Sequence, residues 1–173
     1  MFVEGIVLKP IGFVRHSYSD DYVRNSVRGV DGVVEILEEY RQGLHGLEGF
    51  SHVILLAYLH KVTEDQRKTL IVRPRGLARK LRIPENMLPE VGVFATDSPH
   101  RPNPIALTVA RLIGVDVEKG VLYVDNIDLY SGTPVIDIKP YTPSRRVEDL
   151  RIPRWLQELY QLSSRRPAPV SGD

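Results

Sequence analysis

The chain has 173 residues, of which 42% are hydrophobic and 26% charged, and its formal net charge is only +1. This length suits one globular domain with a small appendage, and we expect neither a membrane span nor a signal peptide. The absence of cysteine excludes disulfides, thiolate nucleophiles, iron–sulfur clusters and cysteine-ligated zinc.

Short segments rich in β-branched residues, separated by Gly and Pro, predict strands along most of the chain. We expect these strands at 4–9, 11–16, 31–38, 51–60, 91–96, 105–117, 121–130 and 134–139. The segments 51–60 and 105–112 are apolar at successive positions, which is typical of strands buried on both faces. Residues 116–120 have the composition of a hairpin turn.

Signals for helices are fewer. We expect a turn at 43–48, a helix within 63–82 and a helix over 153–162 with Trp155 and Leu159 on its apolar face. Many short strands with few helices predict a mainly β fold, a single-domain β-barrel with a short C-terminal helix. The expected organisation is a barrel domain over 1–145, a helical appendage over 146–162 and a disordered tail over 163–173.

Positive charge is concentrated in one part of the chain. Residues 1–60 carry a balance of −3 and residues 83–173 a balance of −2, whereas residues 61–82 carry +6. Such a segment can attract the phosphates of a nucleic acid. A solvated loop whose charges only aid solubility is the alternative.

Several common kinds of site have no support in the sequence. No GxGxxG motif follows a strand and no P-loop is present, so an ordinary Rossmann nucleotide site is not expected. The five histidines include no HExxH motif, and the serines lie in no GxSxG motif. We therefore expect a site built from loops and strand ends, without a metal.

A proline-rich loop precedes the strand at 105–117. Pro99, Pro102 and Pro104 restrict its backbone, and Arg101 and Asn103 alternate with them. A rigid loop that carries polar groups loses little entropy when a ligand binds. A stiff connection between two core strands is the alternative.

A second candidate segment follows the strand at 121–130. Strand periodicity predicts Asn126, Asp128 and Tyr130 on one face at the end of this strand. A carboxylate there can orient an amine or accept a proton, or it can cap the turn at 131–134. His60, where the strand at 51–60 meets the basic segment, is expected to be half-exposed beside a site.

Four segments together resemble the TrmO-like (TsaA-like) family. They are LEGFSH at 47–52, VGVFAT at 91–96, SPHRPNPI at 98–105 and GTPVIDIKPY at 132–141. The resemblance covers roughly residues 6–143. It implies a β-barrel homodimer in the cytoplasm that uses S-adenosyl-L-methionine to methylate N6 of threonylcarbamoyladenosine beside the anticodon of tRNA.

The resemblance also implies functional residues by position. Cofactor contacts are expected at Arg24, Asn25, His60, Lys61, Asp97, Leu107, Ile127, Asp128, Leu129 and Tyr130. Asp128 is the candidate catalytic carboxylate, with Arg101 and Asn103 holding the loop and the nucleotide. Phosphate contacts with tRNA are expected from Arg67, Lys68, Arg73, Arg75, Arg79, Lys80 and Arg82.

The chain departs from the family pattern in three places. In the early loop the usual Pro-Arg-Gln is Val23-Arg24-Asn25 here, so only Arg24 matches. Asp97 stands where an arginine is usual, and Ser131 where an aspartate is usual. These departures leave open an alternative function, a module that binds S-adenosylmethionine or RNA without methyl transfer.

Overall fold

Six antiparallel strands close into a barrel, in the order β1-β2-β7-β6-β3-β8, in a computed structural model that describes residues 5–164. The strands are β1 (Gly12–Arg15), β2 (Val30–Ile36), β3 (His52–Tyr58), β4 (Ile71–Val72), β5 (Val91–Gly92), β6 (Ile105–Asp116), β7 (Val121–Ile127) and β8 (Pro134–Pro140). The helices are α1 (Asp20–Asn25), α2 (Glu64–Arg67), α3 (Arg75–Leu81) and α4 (Arg154–Ser164). 3₁₀ helices cover Glu38–Leu44, Glu85–Met87, Val93–Ala95 and Pro143–Arg145.

The barrel interior is filled by aliphatic side chains. Alternation along each strand turns every second residue inward, and most of these positions carry Val, Leu, Ile or Ala. Val14, Val34, Leu55, Ala110 and Leu122 are completely buried in this way. The interior is therefore a packed core, and a ligand site has to lie outside it.

Antiparallel pairing brings three connections to one end of the barrel. At this end β1, β3 and β7 finish, while β2, β6 and β8 begin. The connections 16–29, 59–104 and 128–133 therefore leave the barrel side by side. We call this end the site rim.

The long connection 59–104 carries a second, smaller core. β4 and β5 pair as a two-stranded sheet, and α3 packs against α4. Ala78, Ile83, Leu88 and Leu159 are buried between them, and the Ser163 hydroxyl donates to the Leu81 carbonyl at 2.9 Å. The C-terminal helix thus holds the basic segment in place.

The fold class expected from the sequence is confirmed, and the barrel strands lie close to their predicted bounds. The 116–120 hairpin is also confirmed, because β6 and β7 pair directly across it. The expected tail lies outside the described residues from position 165 onward, and α4 includes residues 163 and 164.

Four expectations were wrong. Residues 5–9 form no strand and are exposed, because the barrel closes through β1 and β8 without them. The segment 91–96 is a strand only at Val91–Gly92 and then turns as a 3₁₀ helix. The segment 63–82 is two helices separated by β4, not one. The outer face of β6 is exposed, with Leu107 and Ile113 more than half accessible.

Candidate active site at the barrel rim

Side chains from all three rim connections meet around Tyr130. The Lys61 ammonium lies over the Tyr130 ring, 5.1 Å from its centroid, and pairs with the Asp20 carboxylate. The Arg24 guanidinium pairs with Asp21, and it lies close enough to the Tyr130 hydroxyl for that group to raise the pKa of Arg24. Arg24, Lys61 and Tyr130 were predicted from separate segments, and the fold brings them into contact.

Helix α1 positions Arg24 in this cluster. The Ser19 hydroxyl caps the helix by accepting a hydrogen bond from the Tyr22 backbone N–H at 3.2 Å. Val23 is buried and anchors the helix on the barrel. Asn25 is the last residue of the same helix, and its side-chain amide donates to the Asp21 carbonyl at 2.9 Å.

Asp128 stands beside this cluster and is held through both of its oxygens. The Thr108 hydroxyl donates to Oδ1 at 2.8 Å, and the Lys80 ammonium lies 3.5 Å from Oδ2. Thr108 faces inward on β6 and is buried, whereas the Asp128 side chain is 47% exposed. The carboxylate is thus fixed by the barrel and by α3 while it remains open to a ligand.

At the end of β7, Asn126, Asp128 and Tyr130 lie on the side away from the core, as predicted, although the strand itself ends at Ile127. Asn126 has a left-handed backbone, with φ of 63°, and this shifts the alternation by one residue. Ile127 and Leu129 therefore point into the core, with exposures of 0% and 1%, and only their backbones are available to a cofactor. Asp128 and Tyr130 lie beyond the strand, on the connection to β8.

A glycine permits this shift. Gly29 opposes the shifted segment with φ of +75°, and a Cβ there would lie 2.7 Å from the Ile127 carbonyl oxygen. No other residue fits both the backbone conformation and the space. The sequence therefore needs glycine here for the rim to close.

The electrostatics of the cluster favour the charged form of Arg24 and the neutral form of His60. The hydrogen bond with Tyr130 raises the pKa of Arg24, and the charge of Asp21 raises it further. Burial lowers the pKa of His60, and the adjacent Lys61 ammonium lowers it further against a smaller opposite effect of Asp20. At neutral pH the guanidinium of Arg24 is therefore charged and the imidazole of His60 is mostly neutral.

The proline-rich loop is tied to the same rim. The Leu59 N–H donates to the Pro104 carbonyl at 2.8 Å, beside His60, and the Arg67 guanidinium donates to the Pro102 carbonyl at 3.0 Å. Arg101 donates to the Val93 carbonyl at 3.3 Å, so its guanidinium holds the loop closed.

Asp97 and Asn103 are exposed on this loop, and no contact ties them to the Tyr130 cluster. Leu107 lies on the outer face of β6, 65% exposed, away from the barrel interior. These three residues are near the rim, but the single chain does not join them to Arg24 and Lys61.

The basic segment forms the surface beside the cluster. Its cations are exposed or half-exposed, and most pair with acids at the surface. Observed pairs are Arg67–Glu64, Lys68–Asp65, Arg73–Glu90, Arg75–Glu85 and Lys80–Asp128. Such pairs contribute at most about 1 kcal/mol each, so a phosphate can replace the acid. Arg79 is exposed at the end of α3, followed by Arg82, whose backbone is left-handed.

Two parts of the site were missed in the sequence. Helix α1 was not predicted, although Ser19 followed by two aspartates is an N-terminal helix signal that would have identified it. Thr108 lies within an apolar strand, and no local pattern indicates that its hydroxyl reaches Asp128. Only the barrel register brings these two residues together.

The described residues contain no cluster of histidine and acidic side chains that could hold a metal ion. Within the same range, no helix has the length and apolar character needed to cross a membrane.

Comparison with known proteins identifies relatives of the chain. The family model for the tRNA-methyltransferase O N-terminal domain matches residues 23–145. An S-adenosyl-L-methionine-binding protein of Archaeoglobus fulgidus is 39% identical over 143 residues, which cover 80% of this chain and 91% of that protein. A tRNA (adenine(37)-N6)-methyltransferase of Rattus norvegicus is 43% identical over 106 residues, 61% of this chain and 22% of the rat protein.

Solved structures agree with the family match. The crystal structure of TrmO from Pseudomonas aeruginosa superposes with a TM-score of 0.63 at 32% sequence identity. The match covers 85% of this chain and 61% of the crystallised one, so the chain spans less than two thirds of that protein.

Proposed function

The chain belongs to the tRNA-methyltransferase O family, and on that basis we propose that it transfers a methyl group from S-adenosylmethionine to N6 of threonylcarbamoyladenosine beside the anticodon of a tRNA. One observation carries this proposal. Three connections meet at the site rim, where a cluster of two cations and an aromatic ring lies beside a fixed carboxylate and a basic surface.

The donor set of the cluster fits the cofactor. Arg24 and Lys61 are cations suited to a carboxylate, and Asp20 and Asp21 are suited to an ammonium group. The Tyr130 ring already carries a cation on its face, and an aromatic face is also the environment that a sulfonium prefers. These residues would hold the amino-acid part of S-adenosylmethionine.

When bound, S-adenosylmethionine supplies a methyl group on a sulfonium that departs as a neutral thioether. Asp128 is the group of this chain that acts on the nucleophile. As the N6–methyl bond forms and the methyl–sulfur bond breaks, Asp128 accepts the hydrogen bond of the N6 proton and then takes that proton. The carbamoyl substituent makes N6 a poor nucleophile, so a fixed base and exact alignment matter more here than at a simple amine.

The basic segment would bind the tRNA. Lys80 on α3 contacts Asp128, so phosphates bound along α3 would bring the loop base to the carboxylate. The target base lies in a loop and need not be extracted from a duplex. We expect the reaction in the cytoplasm, where mature tRNA is modified.

The test is methyl transfer to defined RNAs. Purified protein is incubated with methyl-labelled S-adenosylmethionine and with one tRNA prepared with or without the threonylcarbamoyl group. Nucleosides are then identified by mass spectrometry. We expect N6-methylated threonylcarbamoyladenosine from the first RNA only, and its loss in Asp128→Asn.

Two results would contradict the proposal in different ways. Equal methylation of the unmodified tRNA would refute threonylcarbamoyladenosine as the specific substrate but would still support a tRNA methyltransferase. Binding of S-adenosylmethionine, measured by calorimetry, without transfer to any native tRNA would favour the non-catalytic binding module instead.

We also propose that the chain acts as a homodimer, joined through the outer face of β6. The outward residues Ile105, Leu107, Val109 and Ile113 form an exposed apolar stripe that only Arg111 interrupts, on a closed barrel that has no free strand edge to pair. Light scattering should give a dimer for the wild type and a monomer for Ile113→Lys. Ile71→Lys, at an equally exposed isoleucine on β4, should remain a dimer. A monomeric wild type at micromolar concentration would contradict this.

A further inference from the structure

A short aromatic stack lies on the β1–β2 connection, outside the Tyr130 cluster. The rings of Tyr18 and Tyr22 are nearly parallel, with centroids 5.0 Å apart and planes at 14°. The centroid of the His16 ring lies 5.7 Å from that of Tyr18, and the two rings are tilted by 49°. Tyr22 is the outer member and is 58% exposed although Tyr18 covers one of its faces.

The stack is held in position before any ligand binds. The Tyr18 hydroxyl donates to the Asp31 carboxylate at 2.6 Å, and this hydrogen bond raises the pKa of Tyr18. Tyr22 is fixed from below by the Ser19 cap on its backbone. A ring already held in one orientation loses little entropy when a second ring stacks on it.

The exposed side of Tyr22 borders an open groove. The groove has a volume of about 550 Å³ and is lined by Ser19, Asp21, Tyr22, Asn25 and Ser26. This volume accommodates one nucleoside, and the lining combines one aromatic face with hydroxyl and amide groups. Unpaired RNA bases are recognised by this combination, stacking on an aromatic ring with polar groups at the base edge.

The groove adjoins the proposed cofactor contacts and shares Asp21 and Asn25 with them, but Tyr22 itself is not one of those contacts. Successive residues of a helix are rotated by about 100°, so Tyr22 and Arg24 point about 200° apart around α1. Arg24 faces Tyr130 on one side of the helix, and Tyr22 faces the groove on the other. A cofactor needs a largely enclosed pocket, whereas this groove is open, as a segment of a larger ligand requires.

We propose that Tyr22, supported by Tyr18, is a stacking platform for an unpaired base of the tRNA anticodon loop. Helix α1 lies beside α3, so a base on Tyr22 leaves its phosphates within reach of the basic segment. The platform fixes the register of the loop relative to Asp128. This inference takes RNA as the substrate and in that respect rests on the proposed function.

The experiment measures binding rather than turnover. A fluorescently labelled anticodon stem-loop is titrated with wild type, Tyr22→Ala, Tyr22→Leu and Tyr22→Phe at constant salt concentration. Loss of one stacked base should raise the Kd for RNA by about 5- to 150-fold in the alanine variant. Tyr22→Leu, which keeps an apolar contact with Tyr18, should also bind weakly, and Tyr22→Phe should bind as the wild type does.

Two controls accompany the titration. Tyr160→Ala removes a comparably exposed tyrosine from α4 and should leave the Kd for RNA unchanged. Calorimetry should show the same affinity for S-adenosylmethionine in all variants. Thermal unfolding identifies any variant that fails to fold. If Tyr22→Ala fails to fold, the Kd of Tyr22→Leu for RNA decides whether the aromatic ring is needed.

Three other outcomes would overturn the proposal, and a fourth would separate it from the proposed function. A loss of affinity for S-adenosylmethionine with unchanged RNA binding would assign the platform to the cofactor's adenine. Unchanged affinity for both ligands, or wild-type protein that does not bind the stem-loop, would show that no base stacks there. RNA binding that depends on Tyr22 without methyl transfer to any tRNA would support the platform and refute the proposed function.

Discussion

Replacing Thr108 with valine tests whether the barrel holds Asp128 for catalysis. Valine has nearly the same shape as threonine but cannot donate the 2.8 Å hydrogen bond to Oδ1. A hydrogen bond to a charged group contributes about 1.5–3 kcal/mol when both partners are buried. The Asp128 side chain is 47% exposed and water can replace the hydroxyl, so we expect a stability loss of only about 1 kcal/mol.

The effect on activity should exceed the effect on binding. With only the Lys80 contact at 3.5 Å remaining, the carboxylate can turn away from N6. We expect kcat to fall about tenfold, which corresponds to about 1.4 kcal/mol of lost transition-state stabilisation. The KM values for S-adenosylmethionine and tRNA should stay within about twofold of the wild type, because Thr108 contacts neither ligand in the proposed site.

The assay is steady-state methyl transfer with both substrates varied, together with thermal unfolding. Thr108→Ser keeps the hydroxyl and should restore most of kcat, although it leaves a small cavity. Wild-type kcat in Thr108→Val, while Asp128→Asn is inactive, would refute the positioning role. Equal loss in the serine and valine variants would assign the effect to packing instead of to the hydrogen bond.

Three further predictions concern the rim and its supports. Gly29→Ala should destabilise the protein by about 2 kcal/mol in chemical unfolding, because its Cβ meets the Ile127 carbonyl and its φ is +75°; an unchanged midpoint would contradict the close approach. Leu159→Ala should release α4, costing about 2 kcal/mol locally, and hydrogen exchange should rise in α3 and α4 but not in the barrel; uniform protection would contradict a separate core. Since the folded state lowers the pKa of His60 below its ordinary value of 6.5, the unfolded chain binds its proton first and stability falls as pH drops below that value. The Tm of His60→Gln should therefore fall less than that of the wild type between pH 7 and pH 5, and identical dependence of Tm on pH in the two proteins would refute a contribution from His60.

The barrel was predictable because its signal is local. Alternating or continuous β-branched residues with Gly and Pro between them identify each strand of the barrel without reference to its neighbours. The errors arise where pairing decides the structure. Residues 5–9 have strand composition, but the barrel closes through β1 and β8 and leaves them no partner. On β6 the apolar outer residues indicated burial on both faces, whereas the single chain offers nothing to cover them.

The site was predictable only in part, for the same reason. Arg24, Lys61 and Tyr130 were found through family motifs, and the barrel topology explains why three distant segments meet. The inward positions of Ile127 and Leu129 could not be predicted from the sequence, because the left-handed backbone of Asn126 shifts the inward–outward alternation of the residues that follow it. The role of Thr108 could not be predicted either, because it depends on a contact between a strand and a loop that no local pattern encodes.

Closure of the barrel explains why the site lies at one rim. A closed sheet has no free strand edge to which a ligand could add. Here the interior is filled with aliphatic side chains and leaves no room for a ligand either. Functional groups must then come from the connections, and antiparallel order brings the connections 16–29, 59–104 and 128–133 to the same end. Two of these three carry helices, and the longest carries the basic segment with its own core. The net charge of +1 thus averages over a molecule whose positive charge is concentrated where its loops meet.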